Sequence, residues 1–424
     1  MPERSFSLRS VALAAFLPSL VFSIGEGAII PIIPVIASNL GADLAAAGLI
    51  AGMIMVGRLI GDIPSGWITS KIGERMAMIY AALLSVIGLS AAMLAPNPWI
   101  LTIGILLVGL AAAIFGLARH AFMTTYVPVA YRARAISSLA GTFYFGYFIG
   151  PLISGIVIHA SGNSQFVFWI HIVACLTAAV ILMLLPDPAA TFGATPSRTR
   201  QANGKEGAQN GMGLFQTIWA ARGVLLKLGS GAGLMGAMRS SRQVILPLWA
   251  VSIAISDTNT ALIIGLAGGI DFALFYTGGQ IMDRFGRLWT AVPSMVGMGV
   301  GFIFLAFTHD ATGRVAWFLV VAILLSLANG IVSGLRMTLG ADLADKTNPA
   351  PFLGAWRFTG DAGSAVAPLA ISFITAVTSL SVATGVMGVF GLLGAGIFAR
   401  YIPRYVKHHR PRTRAARSDS TPIS

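Results

Sequence analysis

A few ionisable residues sit inside long apolar stretches of this sequence, where their types suit proton uptake and charge pairing rather than bond-making catalysis. An ionisable group in a hydrocarbon layer costs about 2.5–3.5 kcal/mol on insertion scales and so faces a cavity or a partner. Glu26 lies about fifteen residues into its stretch, roughly 22 Å along a helix from the start. A carboxylate there is a candidate for binding and releasing a proton or cation; a structural ion pair is the alternative. Asp271 is the second proton-site candidate, with the same alternative. Arg239 is a substrate-cavity candidate, and Arg242, just before Gln243 and Pro247, suits an anionic cargo or Glu26, or serves structure alone. Arg58 and Asp62, and likewise Arg357 and Asp361, stand four apart and share helical faces, as local salt bridges or as parts of a wider network. Phe143, Tyr144, Tyr147 and Trp356 line a cavity or pack toward lipid, and Tyr144 joins the two arginines as a substrate-cavity candidate. Arg119 and Arg336 approach helix ends where snorkelling is an adequate explanation, with a functional role as the alternative. His120 and His171 are isolated, and the single Cys175 excludes disulfides and cysteine metal sites, so no metal or cofactor is expected beyond protons.

The elements that must position these groups are legible in the composition. Of 424 residues 56% are hydrophobic and 10% charged, with mean hydropathy +0.81; soluble domains carry about 25% charged residues. Twelve apolar runs lie near 11–37, 47–68, 76–95, 99–122, 136–158, 166–186, 225–253, 260–281, 289–307, 315–339, 354–378 and 382–402. Each suits a helix crossing a bilayer, which takes about 20 apolar residues. None alternates as a membrane barrel strand does, so the fold class is an all-α membrane protein of twelve transmembrane helices. The first run follows Arg4 and Arg9 but continues to Pro34, too long for a secretory signal core, and reads as a retained helix.

The net charge of +13 is a topology signal. Arg58, Arg119, Arg239, Arg242, Arg336 and Arg357 lie within runs, and of the remaining Lys and Arg only Arg314 falls opposite the N-terminus. The short loops with Lys71, Arg75, Arg132, Arg134, Arg284, Arg287 and Lys346 share one side, which the positive-inside rule makes cytoplasmic with both termini. Residues 187–223 lack apolar periodicity and read as a cytoplasmic linker between six-helix bundles over 1–186 and 224–403, with a basic tail over 404–424.

The two bundles repeat. Adding 213 carries Pro34 onto Pro247, Gly66 onto Gly279, Glu26 onto Arg239 and Arg58 onto Asp271. Adding 217 carries Arg119 onto Arg336, Gly146 onto Gly363 and Pro151 onto Pro368. Opposite charges at corresponding positions suggest that an acid of one half pairs with a base of the other.

The loop GGQIMDRFGRLW, with Gly279, Asp283, Arg284, Gly286 and Arg287, resembles the signature between the second and third helices of each half in the major facilitator superfamily. The first-half copy, GWITSKIGER, keeps Gly66, Lys71, Gly73 and Arg75 but has Ser70 in place of the aspartate. Its glycines are expected to let helices approach closely. Gly141, Gly146, Gly150, Pro151 and Gly155 resemble the family's antiporter motif, with Ser154 replacing one glycine; small-residue packing is the alternative. The arginine often found in the fourth helix of the family's exporters is replaced by Ile105. The resemblance implies two pseudo-symmetric bundles rocking about a midplane site. It also implies that the second and eleventh helices adjoin, so that Arg58, Asp62, Arg357 and Asp361 form a gate.

From this follows the expectation of proton-coupled efflux of a small, partly hydrophobic compound by a monomeric, multi-pass protein of the cell membrane, with a small-molecule substrate and the bilayer as partners and no nucleic acid. Uptake of an organic solute is the runner-up, and a non-transporting receptor or scaffold is a third reading. No nucleophile, base and orienting group gather in a motif, so no enzyme is expected. The absence of a Walker loop argues against direct ATP drive.

Overall fold

The computed structural model describes residues 16–127, 129–184, 219, 221–344 and 349–406, and these form helices with no strand among them. The spans are α1 (Leu17–Asn39), α2 (Leu44–Ile72), α3 (Glu74–Met93), α4 (Pro98–Tyr126), α5 (Val129–Ser161), α6 (Val167–Leu184), α7 (Ser230–Ser252), α8 (Asp257–Phe285), α9 (Leu288–Ala306), α10 (Arg314–Leu343), α11 (Pro349–Val377) and α12 (Leu380–Tyr405). Eleven are long and apolar enough to cross a membrane. The exception is α7, whose run holds Arg239, Ser240, Ser241 and Arg242; the two serines are buried, so its polar residues face protein. Most of the expected linker and tail lies outside the described residues, as do Arg4, Arg9 and Lys346. Arg404 and Tyr405 of the expected tail complete α12.

Local chemistry sets the ends. At one end of the bundle, Asp43, Asn97, Ser256 and Ser379 cap α2, α4, α8 and α12 by accepting from backbone N–H groups one turn on. At the other end α2 passes to α3 through Gly73 (φ 83°) and α8 to α9 through Gly286 (φ 96°). Both lie in the left-handed region, where a side chain is strained. Two spans are interrupted. Residues 30–32 break α1 at Pro31, which lacks the N–H a helix needs, and α10 breaks before Gly334 (φ 84°).

The halves pack alike. In the first, α1 lies on α5 and α6, α4 on α2 and α3, and α3 on α6; α7 to α12 repeat each of these pairings. The halves meet through α2 with α11 and α5 with α8, pairings that the same exchange interconverts. Gly52 on Pro368 and Gly48 on Leu248 bring α2 close to the second half. At the capped end Asn39 donates to Ser164 Oγ at 3.1 Å and Asp257 Oδ2 at 3.2 Å, and Ser372 donates to the Ala45 carbonyl. The two halves are thus joined at that end.

Candidate functional site

Glu26 sits on α1 just before the Pro31 break, 3% exposed. Its carboxylate accepts a hydrogen bond from Arg58 of α2, whose guanidinium also reaches the Tyr147 hydroxyl of α5 at 3.2 Å. The glycines that flank it, Gly25 and Gly27, are contact points. A Cβ on Gly27 would lie 2.8 Å from the Gly146 carbonyl oxygen, and one on Gly25 would meet Ala174 Cβ at the same distance. The irregularity near Glu26 is the proline break.

Asp271, 4% exposed, lies midway along α8. It accepts from Arg242 of α7 and, at 3.1 Å, from Asn329 Nδ2 of α10. Arg242 also donates to Ser326 Oγ at 2.7 Å. Arg239 donates to Asn329 Oδ1 at 2.9 Å and across the halves to the Tyr144 hydroxyl at 2.8 Å. A cavity between the halves is lined by Gly27, Tyr147, Arg242, Gln243, Pro247 and Asp271, among others. Asp271 thus borders this space, Glu26 directly precedes its lining residue Gly27, and charge-assisted bonds hold both acids.

This corrects the pairing read from the repeat. Glu26 pairs with Arg58 and Asp271 with Arg242, each within its own half, while Arg239 finds neutral acceptors. The repeat offset gives equivalent positions around the axis but not side-chain reach, and the nearest bases lie on neighbouring helices of the same half. The anionic-cargo role offered to Arg242 meets a guanidinium already engaged by Asp271 and Ser326.

Toward the Gly73/Gly286 end, Arg357 of α11 bridges Asp62 of α2 at 3.2 Å and Asp361 at 3.3 Å, and Arg336 of α10 reaches Asp361 at 3.0 Å. Three of the four residues expected to cluster there do so; Arg58 points instead to Glu26, and Arg336 takes its place. Arg336 is therefore held by a carboxylate, and Arg119 is 9% exposed. Snorkelling describes neither residue.

The loop signature works differently from expectation. Arg75 donates to the Leu182 and Met183 carbonyls at 2.6 and 2.9 Å, closing the end of α6, and Arg287 meets Asp342 at 2.8 Å. Lys71 lies over the Trp67 ring at 4.3 Å, Arg284 is 5.5 Å from the Phe285 ring centre, and Asp283 is exposed. Gly66 and Gly279 do not bring helices together. A Cβ on Gly279 would meet nothing within 4 Å, because the close approach falls one residue earlier, at Gly278 against the Ile331 carbonyl group.

In the α5 motif Gly146 and Gly150 press on α1 at Ser23, Ile24, Gly27 and Ala28, and Ser154 donates to the Ala28 carbonyl at 2.9 Å. Gly155 meets Leu262 of α8, Pro151 borders the cavity, and Gly141 meets nothing within 4 Å. Gly363, the repeat mate of Gly146, presses likewise on Gly233. The motif is a packing seam that recurs in both halves. Composition and spacing did not single out Asn329 or Ser326, neutral residues in an apolar run. Polarity within such a run was the available signal.

Two repeated six-helix bundles around a cavity with two ion-paired carboxylates define a polytopic membrane protein with an internal polar site. The sequence profile of the Major Facilitator Superfamily matches residues 15–238 and 228–423, and the chain belongs to that family. It is 24% identical over 184 residues to the galactose-proton symporter of Escherichia coli K12, covering 43% of this chain and 39% of that protein. It is 25% identical over 138 residues to inositol transporter 4 of Arabidopsis thaliana, covering 32% of this chain and 24% of the relative. The matched stretches therefore span well under half of these relatives. Among solved structures, the peptide transporter POT in complex with sulfate superposes with a TM-score of 0.74 at 16% identity, covering 96% of both chains. At that identity the likeness is one of fold.

Proposed function

We propose that this protein is a secondary transporter that takes up a small organic solute together with protons, by rocking its two halves about the central cavity. The observation that carries this reading is the pair of buried carboxylates, each held by an arginine of its own half, with Asp271 in the cavity wall and Glu26 next to the lining residue Gly27. A carboxylate in that setting exchanges its arginine for a proton when the surroundings rearrange, and the freed arginine changes what the cavity holds. Among the partial relatives, the galactose-proton symporter supports by its name movement of solute and proton together, and inositol transporter 4 supports a small organic solute. Export rested on the α5 glycine motif, and the contacts of Gly146 and Gly150 account for that motif by packing.

In this reading the bonds from Asn39 and Ser372 close the capped end, while Asp62, Arg357, Asp361 and Arg336 are the links that the cycle makes and breaks at the other. The basic loops make the Gly73/Gly286 end cytoplasmic. Flux of radiolabelled solutes into sealed proteoliposomes under an imposed pH gradient tests the proposal. Accumulation that follows the proton gradient is expected; gradient-independent movement, or efflux that proton entry drives, contradicts it.

A further inference from the structure

Arg119 on α4 stands apart from the other interior arginines. It is 9% exposed, its Nε is buried with no hydrogen-bond partner, and no ion pair to it occurs among the described residues. Arg58, Arg239, Arg242 and Arg336 each have an oxygen acceptor. Glu26 lies within electrostatic reach of Arg119 but is engaged by Arg58.

The repeat sharpens the contrast. Arg336, the mate of Arg119, binds Asp361 at 3.0 Å. The residue matching Asp361 in the first half, by the same offset of 217, is Tyr144, and its hydroxyl accepts from Arg239. The first half keeps the arginine and lacks the acid. The charged groups within reach of Arg119 are Glu26, which Arg58 already holds, and the cations Arg58 and Arg357, so no carboxylate is left free to pair with it. A buried guanidinium without a counter-charge is strongly destabilising unless something supplies one.

The surroundings suit a ligand. The Phe143 ring lies 6.0 Å from the Arg119 guanidinium carbon and 4.4 Å from the Tyr147 ring, and Tyr147 lines the cavity. One turn before Arg119, a Cβ on Gly116 would meet nothing within 4 Å, so space lies open beside α4.

We propose that Arg119 is the docking group for a carboxylate of the cargo, making the cargo a small organic acid whose body lies against Phe143 and Tyr147. A guanidinium presents paired N–H groups that match a carboxylate and discriminate against neutral isosteres. The inference rests on the transport reading and narrows its substrate class.

The test is calorimetric titration of the full-length protein in detergent with acetate, benzoate and succinate, each beside its neutral amide. At least one carboxylate is expected to bind at least tenfold tighter than its amide. Arg119→Gln should lose that binding by at least tenfold while melting near wild type, and Arg119→Lys should retain part of it. Binding of no carboxylate, equal binding of acid and amide, or full binding by Arg119→Gln overturns the proposal. Should Arg119→Gln fail to fold, the acid-against-amide comparison on the wild type still decides. A neutral sugar that drives proton flux while no carboxylate binds would remove this inference and leave the transport reading standing. Absence of solute-evoked proton flux for every solute tried would remove both.

Discussion

Asp271 and Arg242 are one buried ion pair, tied by Asn329 and Ser326 to α10, and the cost of separating them exceeds what either contributes alone. Arg242→Gln leaves the buried carboxylate with Asn329 but without its base, and breaking such a pair costs about 3–5 kcal/mol. A fall in melting temperature in detergent is expected, with recovery in the double substitution Arg242→Leu and Asp271→Leu, whose transport stays abolished. A single substitution that melts like wild type would contradict the pairing. The candidates themselves were legible because a charge in an apolar run stands out. Their partners were not, since each depends on helix rotation and on neutral residues such as Tyr147 and Asn329 that carry no charge signal.

At the scale of the helices, adjacent glycines are expected to answer differently. Gly278 packs on the α10 backbone at Gly330 and Ile331, whereas Gly279 faces open space. Gly278→Ala should destabilise by about 1–3 kcal/mol, the usual cost of overpacking, while Gly279→Ala melts as wild type. Equal effects would show that the seam lies elsewhere. A third substitution, Gly150→Leu, should cost more, because backbone atoms of α1 occupy the space on both sides. Glycine-rich stretches were visible in the sequence, but which glycine of a neighbouring pair meets a helix turns on about 100° of rotation per residue. The apolar runs marked all twelve helices, although α7, with two arginines in its middle, is the one of them not among the eleven long and apolar enough to cross a membrane.

For the whole molecule, the links among Asp62, Arg357, Asp361 and Arg336 join α2 of one half to α10 and α11 of the other. Asp62→Asn should weaken that join and shift the population toward the state open at the Gly73/Gly286 end. The single native cysteine, Cys175, is buried, so Gln243→Cys in a Cys175→Ala background gives a reporter in the cavity wall. Its labelling from that end should rise with Asp62→Asn, and unchanged labelling would count against a gate. The division into two repeated halves was readable from the paired glycines, prolines and loop motifs; the closed capped end was not, since it depends on Asn39 and Ser372, which resemble ordinary helix-end residues. In the proposed cycle Glu26 is one of the two carboxylates that take up the transported proton, and the coupling is expected to fail without it. This is tested most directly by recording internal pH in sealed proteoliposomes of wild type and Glu26→Gln while sugars, polyols and organic acids are added outside. At least one solute should acidify the lumen of wild-type vesicles, with that signal lost in Glu26→Gln; a solute that enters both without proton movement would contradict the account.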